Sequence, residues 1–307
     1  MTVERAAAQL WGFDPEAVTL VARRENTVFR VGDHALRLHR PGYRTDAQLL
    51  SELQWMEALA IGGLSVPRPI PSRAGALIET VEGVQVDVLS WLPGAPAGAG
   101  PDLRVPDRTA FCHALGRLLA DLHRVSDSWT PPAGFTRPRW DRAGLLGEAP
   151  VWGRFWDHPD LSDEDRAVFA NVRAKADEHL ALLESDLDFG LIHADALCEN
   201  IMVTGNQPAL IDFDDSGWGF RTFDLATFLM RFLAVPDYAD LRDAMLDGYA
   251  ARRTVPPPEL DLFILLRSLT YPGWIMTRMH EPGGAERSAR ALNTALPLAR
   301  HYLEETP

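Results

Sequence analysis

Two short apolar runs, each ending at an acidic loop, constrain this 307-residue chain more than any other feature. The first begins Leu191-Ile192-His193-Ala194-Asp195-Ala196-Leu197-Cys198-Glu199-Asn200, and the second is Pro208-Ala209-Leu210-Ile211 followed by Asp212-Phe213-Asp214. Each run reads as a buried strand, so Asp195 and Asp212 both sit where a strand stops and side chains can converge on a ligand. The spacing H-x-D-x-x-x-x-N followed by D-F-D is that of a kinase-type phosphoryl-transfer site. Such a transfer needs a carboxylate that positions the acceptor hydroxyl, and Mg²⁺ to bridge the phosphates and neutralise developing charge. Asp195 is the candidate catalytic partner of the hydroxyl, and Asn200 and Asp212 offer hard oxygen ligands to the metal. His193 is expected to brace the loop rather than titrate. Taken alone, H-x-D also describes a loop aspartate bonded to nearby backbone. A metal-dependent hydrolase using His193 and Asp195 is the rival chemistry, but the other histidines are scattered rather than set at metal-ligand spacing.

With these residues the chain resembles the aminoglycoside phosphotransferase and choline kinase superfamily, closest to its type II homoserine kinase and stress-response kinase branch. The likeness extends to Ala35-Leu36-Arg37-Leu38-His39-Arg40-Pro41-Gly42-Tyr43-Arg44, Ser51-Glu52-Leu53, Val66-Pro67-Arg68-Pro69, Val151-Trp152-Gly153-Arg154-Phe155-Trp156 and the stretch from Gly217 to Ala226, nearly the whole chain. The family's common H-G-D is here His193-Ala194-Asp195, and Leu197 stands where a histidine is frequent. Neither departure removes the base or a ligand. The resemblance implies a bilobal, protein-kinase-like α+β fold, with residues 1–92 a nucleotide-binding N-lobe ending at the hinge and residues 93–307 a helical C-lobe. It also implies ATP and Mg²⁺ as cofactors. The Ser90 carbonyl and Leu92 amide would then meet the adenine edge, and Asp224 would tie the catalytic loop, although a helix-start carboxylate can equally cap its own helix.

Protein kinases hold the α- and β-phosphates with a strand lysine braced by a helix glutamate. The single lysine here, Lys175, lies in a helical stretch far from any such strand. Arg37 on the alternating strand His34 to Leu38 takes that place, with Glu52 in the helical run Ala47 to Ala60 as its brace. Arginine keeps the charge and can grip a phosphate bidentately. A solvent-facing strand arginine in an arginine-biased composition is the plainer reading.

Along the first ninety residues, Ala17 to Ala22, Thr27 to Val31, His34 to Leu38 and Val86 to Leu89 read as strands. Gly32-Asp33 is a tight hairpin turn, and Arg24-Glu25-Asn26 is the candidate phosphate-covering turn. With no glycine in that turn, only backbone amides near Asn26 and Thr27 are available to phosphate. Ser90-Trp91-Leu92-Pro93-Gly94 leads into a Pro/Gly/Ala linker, where Trp91 either belongs to the hinge or caps the lobe interface. Phe111, Leu115, Leu118, Leu119 and Leu122 recur at helical spacing from Asp107 to Val125. Ser162 and Asp165 resemble a capping box for a helix reaching Leu183. The insertion holding Trp129, Trp140, Trp152 and Trp156 packs as core or lines an acceptor pocket, core being favoured. Asp214 and Asp215 either assist the metal or are merely solvated. Arg267 sits in the apolar helical stretch Leu260 to Met279, interrupted at Pro272-Gly273. It requires an anion, either an internal carboxylate, the favoured reading, or that of an amino-acid-like substrate.

A net charge of −13 argues against a nucleic-acid partner. Two cysteines, Cys112 and Cys198, cannot build a disulfide framework. With no secretory segment and no apolar run of membrane-spanning length, the expectation is a cytoplasmic protein without membrane association. Oligomeric state is not fixed by any of these features. The expected reaction is ATP-dependent phosphorylation of a hydroxyl on a small molecule, aminoglycoside-, amino alcohol- or homoserine-like. A serine/threonine protein kinase and a nucleotide-binding protein without turnover are the alternatives.

Overall fold

The computed structural model describes residues 1–23 and 26–305, with Pro257 described by its backbone alone. Helix α1 (Val3–Trp11) precedes a five-stranded antiparallel sheet made of β1 (Thr19–Arg23), β2 (Thr27–Val31), β3 (His34–Leu38), β4 (Glu79–Val81) and β5 (Val84–Ser90), in the order β1-β2-β3-β5-β4. The strand expected from Ala17 begins two residues later, because Asp14 caps a 3₁₀ turn over Pro15–Ala17 by accepting from the Glu16 N–H. Strand alternation sorts the two faces of this sheet. Phe29, Leu36, Val86 and Val88 pack with Ala7 and Trp11 of α1. Arg37 and Asp87, directly paired across β3 and β5, belong to the opposite face. Helix α2 (Asp46–Ile61) brings Glu52 to that face and begins with a capping box in which Thr45 and Gln48 bond each other's backbone N–H groups.

The short strands β6 (Ala95–Pro96), β7 (Gly98–Ala99) and β8 (Asp102–Leu103) lead from this sheet to α3 (Arg108–Ser128), which buries Phe111, Leu115, Leu119 and Leu122. Next come β9 (Arg139–Trp140), α4 (Arg142–Leu146) and α5 (Asp163–Leu183); Ser162 caps α5 by accepting from the Asp165 N–H at 3.1 Å. The remaining strands are β10 (Phe189–Ile192), β11 (Ile201–Thr204), β12 (Gln207–Leu210) and β13 (Gly217–Phe220), and helices α6 (Thr222–Leu229), α7 (Tyr238–Ala250), α8 (Pro257–Met276) and α9 (Gly284–Glu305) complete the fold. A β-rich N-terminal region followed by a mainly helical remainder is the α+β architecture expected of a protein-kinase-like chain. Among the described residues no helix is long and apolar enough to cross a membrane.

Helix α8 runs straight through Pro272-Gly273, where the sequence suggested an interruption. The pair is a packing notch. A Cβ on Gly273 would stand 2.8 Å from the Trp152 carbonyl oxygen and closer still to that of Gly153, so only glycine lets the Trp152-Gly153 backbone lie against the helix. Gly273→Ala should therefore lower stability by a net ~1–2 kcal/mol, because the clash outweighs the roughly 1 kcal/mol of helix propensity that alanine gains. Denaturant midpoints measure this, and a variant more stable than wild type would show that the Trp152 segment moves aside freely.

Candidate active site

The hairpin of β11 and β12 explains why the two acidic loops meet. Ile201 pairs with Leu210, so Asn200, just before the hairpin, lies beside Ile211 and Asp212, just after it; the Ile211 N–H donates to the Asn200 carbonyl at 2.9 Å. His193 joins the same two segments, its Nε2 donating to the Ile211 carbonyl at 3.0 Å and its Nδ1 accepting from the Asp195 N–H at 3.3 Å. Burial lowers its pKa, keeping it neutral, which suits this bracing arrangement. Phe213 anchors the second loop between the His193 ring, 4.6 Å away, and Trp55 of α2, 5.4 Å away.

The turn at Ala194 is held by Asp224. Its Oδ1 accepts from the Ala194 N–H at 2.7 Å, and its Oδ2 accepts from the His193 N–H at 2.9 Å and from His123 Nε2 at 3.0 Å. Burial opposes ionisation of Asp224, but the His123 hydrogen bond overcomes it and holds the carboxyl below its usual range. Asp224 thus clamps the loop and is not the cap of α6, which begins after Arg221. Ala194 adopts φ +66° and Asp212 φ +63°, left-handed conformations that the clamp and the buried phenylalanine sustain.

Both oxygens of Asp195 are engaged. Asn200 Nδ2 donates to Oδ2 at 2.8 Å, and Arg267 Nη2 donates to Oδ1 at 3.1 Å. The internal carboxylate favoured as the partner of Arg267 is therefore the candidate catalytic carboxylate itself. Burial pushes Asp195 up to about 7 against the pull of Arg267, with Asp215 and Asp212 adding to the rise. Burial pushes Asp212 up to about 6, with Asp214 adding and Arg37 opposing. Arg44 pairs with Asp214 at 3.3 Å and Asp215 at 3.0 Å, whereas no ion pair to Asp212 exists among the described residues. Asn200 spends its nitrogen on Asp195 and keeps its Oδ1 available, so this amide oxygen and the Asp212 carboxylate form a hard-oxygen donor set suited to a divalent cation.

On the sheet above, Arg37 donates from Nη1 to Glu52 at 2.8 Å, and from Nε and Nη2 to the two oxygens of Asp87 at 2.8 and 2.7 Å. His39 Nε2 meets the same Asp87 at 2.7 Å. Arg137 Nη1 stands 3.6 Å from Glu52, and its guanidinium also gathers the carbonyls of Phe213, Asp214 and Ser216, tying this cluster to the Asp212 loop. Burial works against the charge of Asp87, yet Arg37 and His39 hold its carboxyl well below the usual range. Sequence reasoning missed Asp87, Arg44 and Arg137. The signal for Asp87 was a lone acid inside the apolar run of β5.

The other expected site residues are placed as follows. The Ser90 N–H donates to the Arg68 carbonyl and its Oγ accepts from the Arg68 N–H, while the neighbouring Trp91 N–H donates to the Asp33 carbonyl. Trp91 lies under the Arg30 guanidinium at 4.7 Å, at the end of the β2–β3 hairpin, and Leu92 follows it, partly buried. Thr27 pairs with Leu38, one step from the Val28–Arg37 pair. Asn26 precedes it, but Arg24 and Glu25 of the candidate phosphate turn lie outside the described residues. Cys112 and Cys198 are buried thiols, both pushed up to about 12 by burial.

Trp140 is core, as favoured, but Trp152 is not only that. Its Nε1 meets Asp215 at 3.3 Å, its ring carries the Arg267 guanidinium at 4.7 Å, and Trp274 stands 6.1 Å away.

A family model described as the phosphotransferase enzyme family matches residues 17–263. Homoserine kinase of Allorhizobium ampelinum is 29% identical over 234 residues, which cover 74% of this chain and 67% of the relative. Amicoumacin kinase of Bacillus subtilis is 27% identical over 237 residues, covering 75% and 67% respectively. Among solved structures, the microcompartment-associated aminopropanol kinase superposes with a TM-score of 0.83 at 29% identity, covering 98% of this chain and 96% of that one.

Proposed function

The chain belongs to the phosphotransferase enzyme family, and we propose that it transfers the γ-phosphoryl group of ATP to a hydroxyl of a small molecule of the amino alcohol, homoserine or aminoglycoside type. The reading rests on one observation above the others: Asp195 and Asp212 are delivered to one place, one paired with Arg267 and the other without an ion pair among the described residues. In this reading residues 1–92 and 93–307 are the two lobes, and the nucleotide lies between them. Asp195 accepts the hydrogen bond of the acceptor hydroxyl and takes its proton as the oxygen attacks. Asn200 and Asp212 would hold Mg²⁺, which supplies charge neutralisation at the phosphates when bound.

Arg37, fixed by Glu52 and Asp87, uses three of its five N–H groups internally and has the remainder for the phosphates. The backbone near Asn26 and Thr27 would cover the phosphates, and the Ser90 carbonyl and Leu92 amide would receive adenine. Mg²⁺-dependent ADP production with pooled amino alcohols, hydroxy amino acids, sugars and aminoglycosides tests the proposal. Stimulation by one pool is the expected result. Silence from every pool, with labelled phosphate entering protein instead, would overturn the small-molecule reading.

A further inference from the structure

Arginine, not lysine, surrounds the acceptor side of Asp195, and three of these arginines rest on aromatic rings. On α8, Arg267, Tyr271 and Trp274 are spaced by four and three residues, so they share one stripe of the helix. Arg267 heads the stripe and is fully used: Nη2 goes to Asp195, Nε to Thr227 Oγ1 at 3.1 Å and Nη1 to Thr270 Oγ1 at 3.0 Å. Tyr271 and Trp274 stack at 5.1 Å, and Arg278 lies over Trp274 at 4.3 Å while donating to the Trp274 carbonyl and to Thr277.

Arg231, in the 3₁₀ turn Met230–Phe232 that follows α6, is different. Its guanidinium lies 5.5 Å over Tyr271, one helical turn along α8 from Arg267, an axial offset of about 6 Å. Its Nε is buried with no hydrogen-bond partner, and among the described residues no carboxylate stands within ion-pair distance of it. Its charge also acts on Asp195 and on Arg267, in keeping with its seat on Tyr271 one turn along the same helix. Asp195 cannot be its dedicated partner, because Arg267 and Asn200 already hold both carboxylate oxygens. Asp214 and Asp215 both pair with Arg44 instead. One guanidinium on the aromatic stripe of α8 is therefore left without an ion-pair partner among the described residues, and a partly buried cation there is costly unless a ligand completes it.

We propose that Arg231 binds an anionic carboxylate of the acceptor, so that the substrate is a hydroxy acid of the hydroxy-amino-acid class rather than a bare amino alcohol. The inference rests on the kinase reading above and narrows it. A small acceptor spanning Asp195 and Arg231 would lie along the Trp152, Tyr271 and Trp274 rings, its hydroxyl at the acid and its carboxylate at the arginine. A substrate carboxylate, the alternative partner for Arg267, falls to Arg231 instead, because Arg267 is occupied by the internal carboxylate of Asp195.

Matched acceptors that differ only in the carboxylate decide the matter: L-homoserine against 3-aminopropan-1-ol, and L-threonine against 1-aminopropan-2-ol. Two readouts are taken on each, acceptor-stimulated ADP release and calorimetric binding to the protein loaded with a non-hydrolysable ATP analogue. The expected result is a preference of about 10- to 100-fold for the carboxylated member of at least one pair, the worth of a charge-assisted hydrogen bond. Arg231→Gln should collapse that ratio to within a few-fold of unity, and Arg231→Lys should restore part of it. Equal or reversed preference in the wild type, a ratio that survives Arg231→Gln, or binding of neither member of any pair overturns the inference. Carboxylated members that bind with an Arg231-dependent preference yet receive no phosphate would sustain it while overturning the kinase reading. Phosphorylation of amino alcohols without a carboxylate preference would do the reverse.

Discussion

Asp195→Asn should lower turnover by about 10³-fold, within the range a positioned proton acceptor contributes, and should do so without destabilising the protein. The side chain keeps its shape, and its carbonyl oxygen can still accept from Asn200 or Arg267. What disappears is the ability to take a proton. The stability half follows from electrostatics. Burial pushes the Asp195 carboxyl up to about 7 even with Arg267 beside it, so the folded protein prefers the neutral group that asparagine mimics. A folded pKa above the unfolded value of about 3.9 means that the stability linked to this proton is complete below that value and is lost as pH rises towards 7. Free of nucleotide and Mg²⁺, the variant should therefore match wild type near pH 4 and exceed it by at least about 1 kcal/mol at pH 8. Thermal unfolding across that range, together with single-turnover phosphoryl transfer, checks both halves. A variant that loses turnover and stability together at pH 8 would assign Asp195 a structural role through Arg267.

What was legible in the sequence is what short-range pattern controls. The apolar runs before His193 and Asp212 are strands because they are apolar, and the second of them closes the ten-residue hairpin of residues 201–210 that returns the chain to the same place. Helix α3 and the capped start of α5 were readable for the same reason, since periodicity and caps are written within a few residues. The illegible parts depend on partners distant in the chain. Arg44 finds Asp214 and Asp215 only after the loop before α2 folds over the Asp212 loop. Trp152 reads as generic aromatic core until Gly273 on α8 is seen to make room for its backbone, which seats the ring under Arg267. Proline and glycine within α8 argue locally for a break, and tertiary packing overrides them. Arg267 was recognisable as a buried cation requiring an anion, but nothing local distinguishes the catalytic carboxylate from any other acid as that anion.

Asp87 makes the same point with a larger expected effect. A single acid inside β5 says little until cross-strand register sets it opposite Arg37, where it accepts two hydrogen bonds from the guanidinium and a third contact from His39. All of this lies in the interior: the Asp87 and Glu52 side chains are wholly buried and that of Arg37 is 7% exposed. Removing one member of such a cluster leaves a buried charge without compensation, which costs about 3–5 kcal/mol. Asp87→Ala should therefore lower the unfolding midpoint by roughly 10 °C. The sign of the pH dependence is opposite to that at Asp195. Because the folded-state carboxyl is held below its usual range, its contribution is complete above the unfolded value of about 3.9 and is lost only as the solution becomes strongly acidic. The deficit of Asp87→Ala should accordingly be full at pH 7, persist to about pH 4 and shrink below it. Arg37, held by Glu52 alone, should also meet the nucleotide less well, raising its KM. Asp87→Asn keeps one acceptor for Arg37 and should fall between wild type and Asp87→Ala in both stability and nucleotide KM. A loss under about 1 kcal/mol in Asp87→Ala at pH 7 would mean that Glu52 rearranges away from Arg137 to neutralise Arg37 without it.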